Sequence, residues 1–412
     1  MRCTDTVIIG AGHSGLALSR CLAERGVSHV VLDREGVGHR WRSARWDSFR
    51  LITPNWLSRL PGWAYTGPDP DGYMNAEDFV DYLTAYARSF DAPVRSHTVV
   101  TEVVRSGTGF AVHTNRGVWA ARNVVVATGY HSQARVPGLA DRLAGDVVRT
   151  TGAGYRSPAG LPDGAVLVVG ASSSGVQIAH ELAVAGRTVL LAVGGHTRLP
   201  RRYRGRDILW WLDRIGALDR TIDQRSSAEL ARREPSLQLG GGTEPRGIDL
   251  GVLQEAGVRL TGRLRALDGT VADFADDLGD TMGAAEQRLL RVLGEVEQYA
   301  RTGPATAFEP PDPPPAIPVP TAMSRVDLRR AGVTSVVWAT GYRPAYPWLR
   351  VPVLDGDGLL RHRRGVTDVP GLYGIGLRYQ HRRSSTFIDG ARHDAMFLAD
   401  QIAGWPAARP AV

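Results

Sequence analysis

The chain has 412 residues, of which 43% are hydrophobic and 22% charged, an ordinary globular balance with room for roughly two to three domains of ~150 residues. No apolar run approaches the roughly 18 residues a membrane span needs. Two cysteines, Cys3 and Cys21, are too few for a disulfide framework and too far apart for a reactive dithiol, which points to the cytoplasm. All 49 basic residues are Arg and the formal charge is +7; the absence of lysine excludes Schiff-base catalysis and a Walker lysine. The arginines are scattered along the chain, which suits anionic cofactors better than nucleic acid.

In chain order, Thr6–Ile9 is an apolar β-branched run that meets glycine. A helical pattern through Leu16, Leu18, Cys21 and Leu22 follows and stops at Gly26. His29–Leu32, ending at Asp33, completes a βαβ unit. The apolar start at Val7–Leu18 could pass for a signal peptide, but three glycines in phosphate-loop spacing fill it and no clean cleavage site follows. Ala76–Phe90 has helical spacing, with Asn75 as its cap. Val99–Val104, Gly109–Thr114 and Val118–Ala120 read as a small antiparallel excursion before Val124–Ala127 returns to the sheet, and the first unit closes near Tyr155. The opening theme then repeats: strand Val166–Val169, a glycine turn, a helix through Ile178, Ala179 and Leu182, a stop at Gly186, and strand Val189–Val193. Arg288–Ala300 is an amphipathic helix, Pro304–Pro320 a linker, Val333–Ala339 a buried strand, Gly371–Gly376 a strand end and Ile388–Ile402 a final helix.

In Gly10-Ala11-Gly12-His13-Ser14-Gly15 the first glycine permits the tight turn, the second lets a diphosphate approach the backbone, and the third lets helix and strand pack closely. Free N–H groups at the helix start hold the phosphates, and Asp33 stands where a carboxylate binds ribose hydroxyls. The second loop, Gly170-Ala171-Ser172-Ser173-Ser174-Gly175, has serine at the middle glycine position. No acid ends its next strand; Arg198, Arg201 and Arg202 follow instead, which suits the 2′-phosphate of NADPH over NADH. The eleven histidines show no metal-ligand spacing, so no metal is expected.

With these loops, with Gly38-His39-Arg40-Trp41, and with two Ala-Thr-Gly segments, Ala127-Thr128-Gly129 and Ala339-Thr340-Gly341-Tyr342, the chain resembles the flavin-containing monooxygenases over nearly its full length. That class includes N- and S-oxygenating enzymes, plant indole-pyruvate monooxygenases and, more distantly, Baeyer–Villiger enzymes. The resemblance implies an α/β fold of two Rossmann-like dinucleotide-binding domains: a FAD domain of residues 1–160 and 322–412, and an inserted NADPH domain of residues 161–321. It implies FAD on the first loop with Asp33, Arg34 and Trp41, Val100 near the adenine, NADPH on the second loop, and the Ala-Thr-Gly segments where the chain passes between domains. Gly376 and Leu377 join the cofactor-binding set. Thr53-Pro54-Asn55 aligns with the family's asparagine beside the reactive flavin carbon, making Asn55 the catalytic candidate; a neutral amide there donates a hydrogen bond without delivering a proton.

The family fingerprint between the loops is kept at Tyr155-Arg156 but has Thr151 where a histidine is expected, and no tryptophan replaces Tyr155, so the Baeyer–Villiger version is not matched. In Gly205–Trp211, Asp207, Trp210 and Trp211 are candidates for an apolar substrate pocket. The activity implied is a FAD-dependent, NADPH-consuming monooxygenase acting through a C4a-hydroperoxyflavin, with a small organic substrate and O2 as partners, no nucleic acid or membrane partner, and a homo-oligomer left open. A flavin-dependent NAD(P)H reductase without oxygen insertion, a Baeyer–Villiger-type enzyme and a redox-sensing binding protein are the alternatives.

Overall fold

The computed structural model describes residues 1–242, 246–303 and 308–404. Two sheets arrange their five parallel strands alike, except that the strand at one edge comes last in the chain in the first and first in the second. In the first, Val94–Arg95, His29–Leu32, Arg2–Ile9, Gly117–Val126 and Leu372–Gly374 lie side by side. In the second the corresponding places are taken by Arg259–Thr261, Val189–Ala192, Ala165–Val169, Val333–Trp338 and Val148–Thr151. Such strands are covered on both faces and read as continuous apolar runs; Ala165–Val169 is buried at all five positions.

The chain returns to the first sheet through His362–Arg363, Val366–Thr367 and Leu372–Gly374, so the second unit is an insertion. Its seams lie further out than residues 161 and 321. Val148–Thr151 and Val333–Trp338 both belong to the second sheet, because a parallel strand pairs by position in the crossover and its composition does not say which sheet it joins. The connectors pair with each other: Gln133–Ala134 runs antiparallel to Tyr342–Arg343.

Local signals decided most elements. Asn75 caps helix Ala76–Arg88 by accepting from Glu77 N at 2.8 Å and Asp78 N at 2.9 Å, while the Asp78 carboxylate accepts from Asn75 N, and the helix buries Phe79, Val80, Leu83, Tyr86 and Ala87. Gly117–Val126 is one ten-residue strand rather than two pieces: its first half pairs antiparallel with Gly109–Thr114 and, on its other edge, parallel with the first strand. The helix expected at Arg288–Ala300 runs the full Leu278–Thr302. Of the Pro-rich stretch, residues 304–307 lie outside the described residues and 308–320 have no regular structure. Helices Ile208–Arg214 and Leu250–Glu255 and the antiparallel trio Leu264–Asp268, Val271–Phe274 and Arg325–Asp327 were not foreseen. No helix among the described residues is long and apolar enough to cross a membrane.

The inserted unit is stitched to the first through Arg201, which is only 1% exposed. Its guanidinium donates to Ile52 O at 2.8 Å and to Asp207 Oδ1 at 2.6 Å and lies 5.1 Å from the Tyr73 ring. Tyr73 in turn donates its hydroxyl to Asp207 Oδ2 at 2.7 Å. Removing the cation leaves a largely buried carboxylate unpaired, which costs about 3 kcal/mol or more. Arg201→Leu should therefore lower the urea-unfolding free energy by about that amount, whereas exposed Arg202→Ala should change it by no more than about 0.5 kcal/mol.

Candidate dinucleotide-binding sites

Each glycine turn is closed against the Ala-Thr-Gly segment of its own sheet. Gly10 has φ +117° and Gly170 φ +110°. A Cβ at Gly10 would stand 2.5 Å from Ala127 O, and one at Gly170 2.5 Å from Ala339 O. A Cβ at Gly15 or Gly175 would overlap the carbonyl oxygen of Gly10 or Gly170. The middle position is different. Gly12 (φ −80°, ψ 178°) and Ser172 (φ −82°, ψ −173°) have the same extended backbone, and a Cβ at Gly12 meets no protein atom within 4 Å. Serine therefore fits the second turn without strain, and the glycine in the first is explained by a ligand that comes close, not by the fold.

Over the first turn lies a cleft of about 390 Å³. Gly10, Gly12, His13, Ser14, Asp33, Arg34, Trp41, Val100, Ala127, Thr128 and Gly129 all line it. Gly15 lies beneath, in the packing. Gly376 (φ +74°) comes close to Ser14, with a hypothetical Cβ 2.8 Å from Ser14 Oγ. Leu377 is buried next to it.

The cleft also gathers residues the sequence reading missed: Arg40, Arg45, Thr98, His131, Ser132 and Trp348. Arg45 lies over Trp41 and Phe49 at 5.0 and 5.2 Å and makes no ion pair among the described residues. Arg40 donates to the carbonyls of His131 and Ser132. Arg40 and Arg45 flank the quoted Trp41 and His131 follows the first Ala-Thr-Gly, so spacing could have nominated them; nothing in the sequence marks Trp348.

The donor set fits a dinucleotide diphosphate. His13 Nε2 and Thr128 Oγ1 are buried without partners among the described residues, the helix start at His13 offers free N–H groups, and Arg45, whose guanidinium donates to Ala44 O at 2.9 Å but faces no carboxylate among the described residues, supplies a cation. Asp33 accepts from Ala11 N at 2.8 Å and from Glu35 N and Gly36 N at 2.9 Å, which fixes the carboxylate at the end of its strand and leaves lone-pair capacity for a ligand hydroxyl. Burial holds His13 down to about 4 from its ordinary 6.5, so the imidazole is neutral at physiological pH.

The arginines expected at the second turn are placed otherwise. Arg198 is 2% exposed and saturated by Asp249 at 2.8 Å, Glu286 at 2.5 Å and Pro315 O at 2.7 Å. Arg201 is committed to Asp207 as described, and Arg202 turns to Gly205 O in its own hairpin. A buried guanidinium with a carboxylate of its own has no charge left for a phosphate. The second turn itself carries Ser173 Oγ donating to Leu239 O and Gln238 Nε2 donating to Ala171 O.

Asn55 is 4% exposed and does not line the cleft. It donates to Asp69 O at 2.8 Å and accepts from Met74 N at 2.9 Å, so its amide braces the 69–74 loop. Asp207 caps helix Ile208–Arg214 through Leu209 N as well as holding Arg201. Trp211 is 0% exposed, its indole N–H given to Tyr203 O, and Trp210 packs edge-on against it between Arg206 and Arg214. Trp211 is core, and Trp210, partly buried, packs against it. Tyr155 donates to Glu181 of the second unit's helix and Arg156 to carbonyls of the Arg42–Arg45 segment, so the fingerprint pair clamps the seam. No cluster of metal-ligating side chains occurs among the described residues.

The family described as pyridine nucleotide-disulphide oxidoreductase matches residues 7–212, half of the chain. The chain belongs to this family. The uncharacterized oxidoreductase CzcO-like of Geobacillus kaustophilus is 32% identical over 401 residues, covering 97% of this chain and 98% of that protein. Indole-3-pyruvate monooxygenase YUCCA6 of Arabidopsis thaliana is 32% identical over 423 residues, 97% and 90% of the two chains. In fold, the chain is similar to a flavin-containing monooxygenase from Stenotrophomonas maltophilia, with TM-score 0.67, 21% identity and coverage of 98% and 99%. This oxidoreductase thus sits on the flavin-containing monooxygenase-like side of its family. The disulphide chemistry in the family's description has no dithiol here: Cys3 is exposed, Cys21 is buried, and burial pushes the Cys21 thiol up to about 12.

Two outcomes follow from this geometry. Gly12→Leu should melt within about 2 °C of the parent yet bind FAD at least about tenfold more weakly, while Gly15→Ala should fail to fold or lose most of its cooperative melting. For His13 the unfolded chain takes up a proton below pH 6.5 and the folded chain does not until about 4. Its stabilising contribution is therefore present above pH 6.5 and lost as the pH falls toward 4, and His13→Gln should flatten the fall in unfolding free energy across that window.

Proposed function

We propose that this oxidoreductase is a FAD-dependent, NADPH-consuming monooxygenase that converts NADPH, H⁺, O2 and a small organic substrate to NADP⁺, water and the mono-oxygenated product. The observation that carries this is the duplicated turn: two glycine-turn helix starts on two like sheets in one chain, the first facing a cleft where, among the described residues, His13 Nε2 and Thr128 Oγ1 have no hydrogen-bond partner and Arg45 no ion pair, a donor set that fits a dinucleotide. Similarity over 97% of the chain to an indole-3-pyruvate monooxygenase supports the oxygen-inserting reading. The lack of a dithiol weighs against disulphide reduction.

FAD, when bound, supplies two-electron storage and the activation of O2. The protein's share is binding, orientation and exclusion of water. Gly10–Ser14 and Arg45 would hold the diphosphate, Asp33 the ribose, and Val100 the adenine. Trp41, packed edge-on against Phe79 at 4.8 Å, walls the cleft with apolar surface, and drier surroundings strengthen every charged contact inside it. The chemistry suits a soft nucleophile, by N- or S-oxygenation or a related hydroxylation.

The test is oxygen balance. With ¹⁸O2 and a panel of amines, thioethers, oxo-acids and ketones, at least one substrate should take up one labelled oxygen for each NADPH consumed. If NADPH oxidation returns all the oxygen as hydrogen peroxide with every substrate, or proceeds only with an artificial electron acceptor, the enzyme is a reductase and the proposal fails.

A further inference from the structure

We propose that Arg263 reads the 2′-phosphate on the adenosine end of NADPH at the turn Val193–Gly195; the inference rests on the second glycine turn being the NADPH site. The backbone bonds of the two sheets put their positions in correspondence. Gly10 N donates to Leu32 O at 2.8 Å and Gly170 N to Ala192 O at 2.9 Å; Asp33 N donates to Arg95 O at 3.1 Å and Val193 N to Thr261 O at 3.0 Å. Val193 therefore stands where the first unit has Asp33, and Gly194 and Gly195 stand where it has Arg34 and Glu35.

A carboxylate at this place binds both ribose hydroxyls and repels a 2′-phosphate. Val193 is fully buried and the two glycines have no side chains, so the strand end offers neither a hydroxyl acceptor nor a repelling charge. Recognition must come from a neighbouring element. In the first unit the chain beyond the third strand brings Thr98, Val99 and Val100 to the cleft. In the second unit the chain beyond the third strand begins with Gly262-Arg263, the places of Ser96-His97 that lead into that stretch. Arg263 Nη2 lies 3.9 Å from where a Cβ on Gly195 would stand.

Unlike Arg198 and Arg201, Arg263 is available. Its side chain is 58% exposed and pairs only loosely with Asp277, at 3.3 Å, while Asp277 Oδ1 fixes the base of the residue through Arg263 N at 3.0 Å. An exposed pair of this kind exchanges readily with a doubly charged phosphate, to which a guanidinium can donate two parallel hydrogen bonds. His196 Nδ1 on Gly194 O at 3.0 Å and Arg288 on His196 O at 2.8 Å brace the turn from behind.

The test is calorimetric titration of the FAD-loaded protein with 2′,5′-ADP and with 5′-AMP, which report the phosphate alone and need no turnover. The parent should bind 2′,5′-ADP about tenfold or more tightly than 5′-AMP. Arg263→Ala should bring the two within about twofold, and Arg263→Lys should keep part of the preference. Gly195→Asp, which sets a carboxylate beside Arg263, should turn the preference toward 5′-AMP; a matching melting curve for each variant keeps folding out of the comparison. If the parent discriminates and Arg263→Ala discriminates equally well, Arg263 is not the reader, though the NADPH reading stands. If the parent binds both alike, the NADPH reading and this inference fall together.

Discussion

The molecule depends on a close approach made twice: the first glycine of a phosphate turn pressed against the carbonyl of an alanine on the adjacent strand, Gly10 on Ala127 and Gly170 on Ala339. No side chain fits between them. The contact seats the helix start against the sheet, with the third glycine closing the turn from within, and so leaves the free N–H groups of the helix pointing into open space at the strand ends. Ala-Thr-Gly is thus a structural partner of the glycine loop as well as the place where the chain leaves for the other unit. Once the seat is fixed, phosphate binding there needs little more than a helix end and a cation.

The seam between the units is polar and specific. Arg201, Asp207 and Tyr73 form one buried network across it, Tyr155 and Arg156 reach to either side, and the two connectors pair as short antiparallel strands. A buried ion pair adds less to net stability than to uniqueness of arrangement. Here the arrangement it specifies is the loop of residues 52–74, which carries Asn55 and joins the first unit to the insertion.

Much of this was legible in the sequence because backbone geometry demands particular residues. Only glycine satisfies the positions of Gly10 and Gly15, Asn75 and Asp78 announce a capped helix, and buried parallel strands read as apolar runs. The rest was hidden for physical reasons. Val148–Thr151 is short and half exposed, so nothing in it says that it completes the second sheet. Whether an arginine meets solvent or a carboxylate is settled by residues far away in the chain: Arg198 by Asp249 and Glu286, Arg201 by Asp207. The same holds for Trp211, whose neighbour suggested a pocket and whose packing made it core with Trp210 partly buried against it, and for Asn55, whose amide is taken up by the backbone of a loop nearly twenty residues on.

The central claim is that a flavin dinucleotide lies with its diphosphate on the turn at Gly10–Gly15. A crystal structure of the purified yellow protein tests it most directly. It should show two phosphates within hydrogen-bond reach of the N–H groups of Gly12–Ser14, with the Arg45 guanidinium turned onto them. A colourless protein that takes up no FAD on incubation, with the cleft over that turn filled only by solvent, would contradict it.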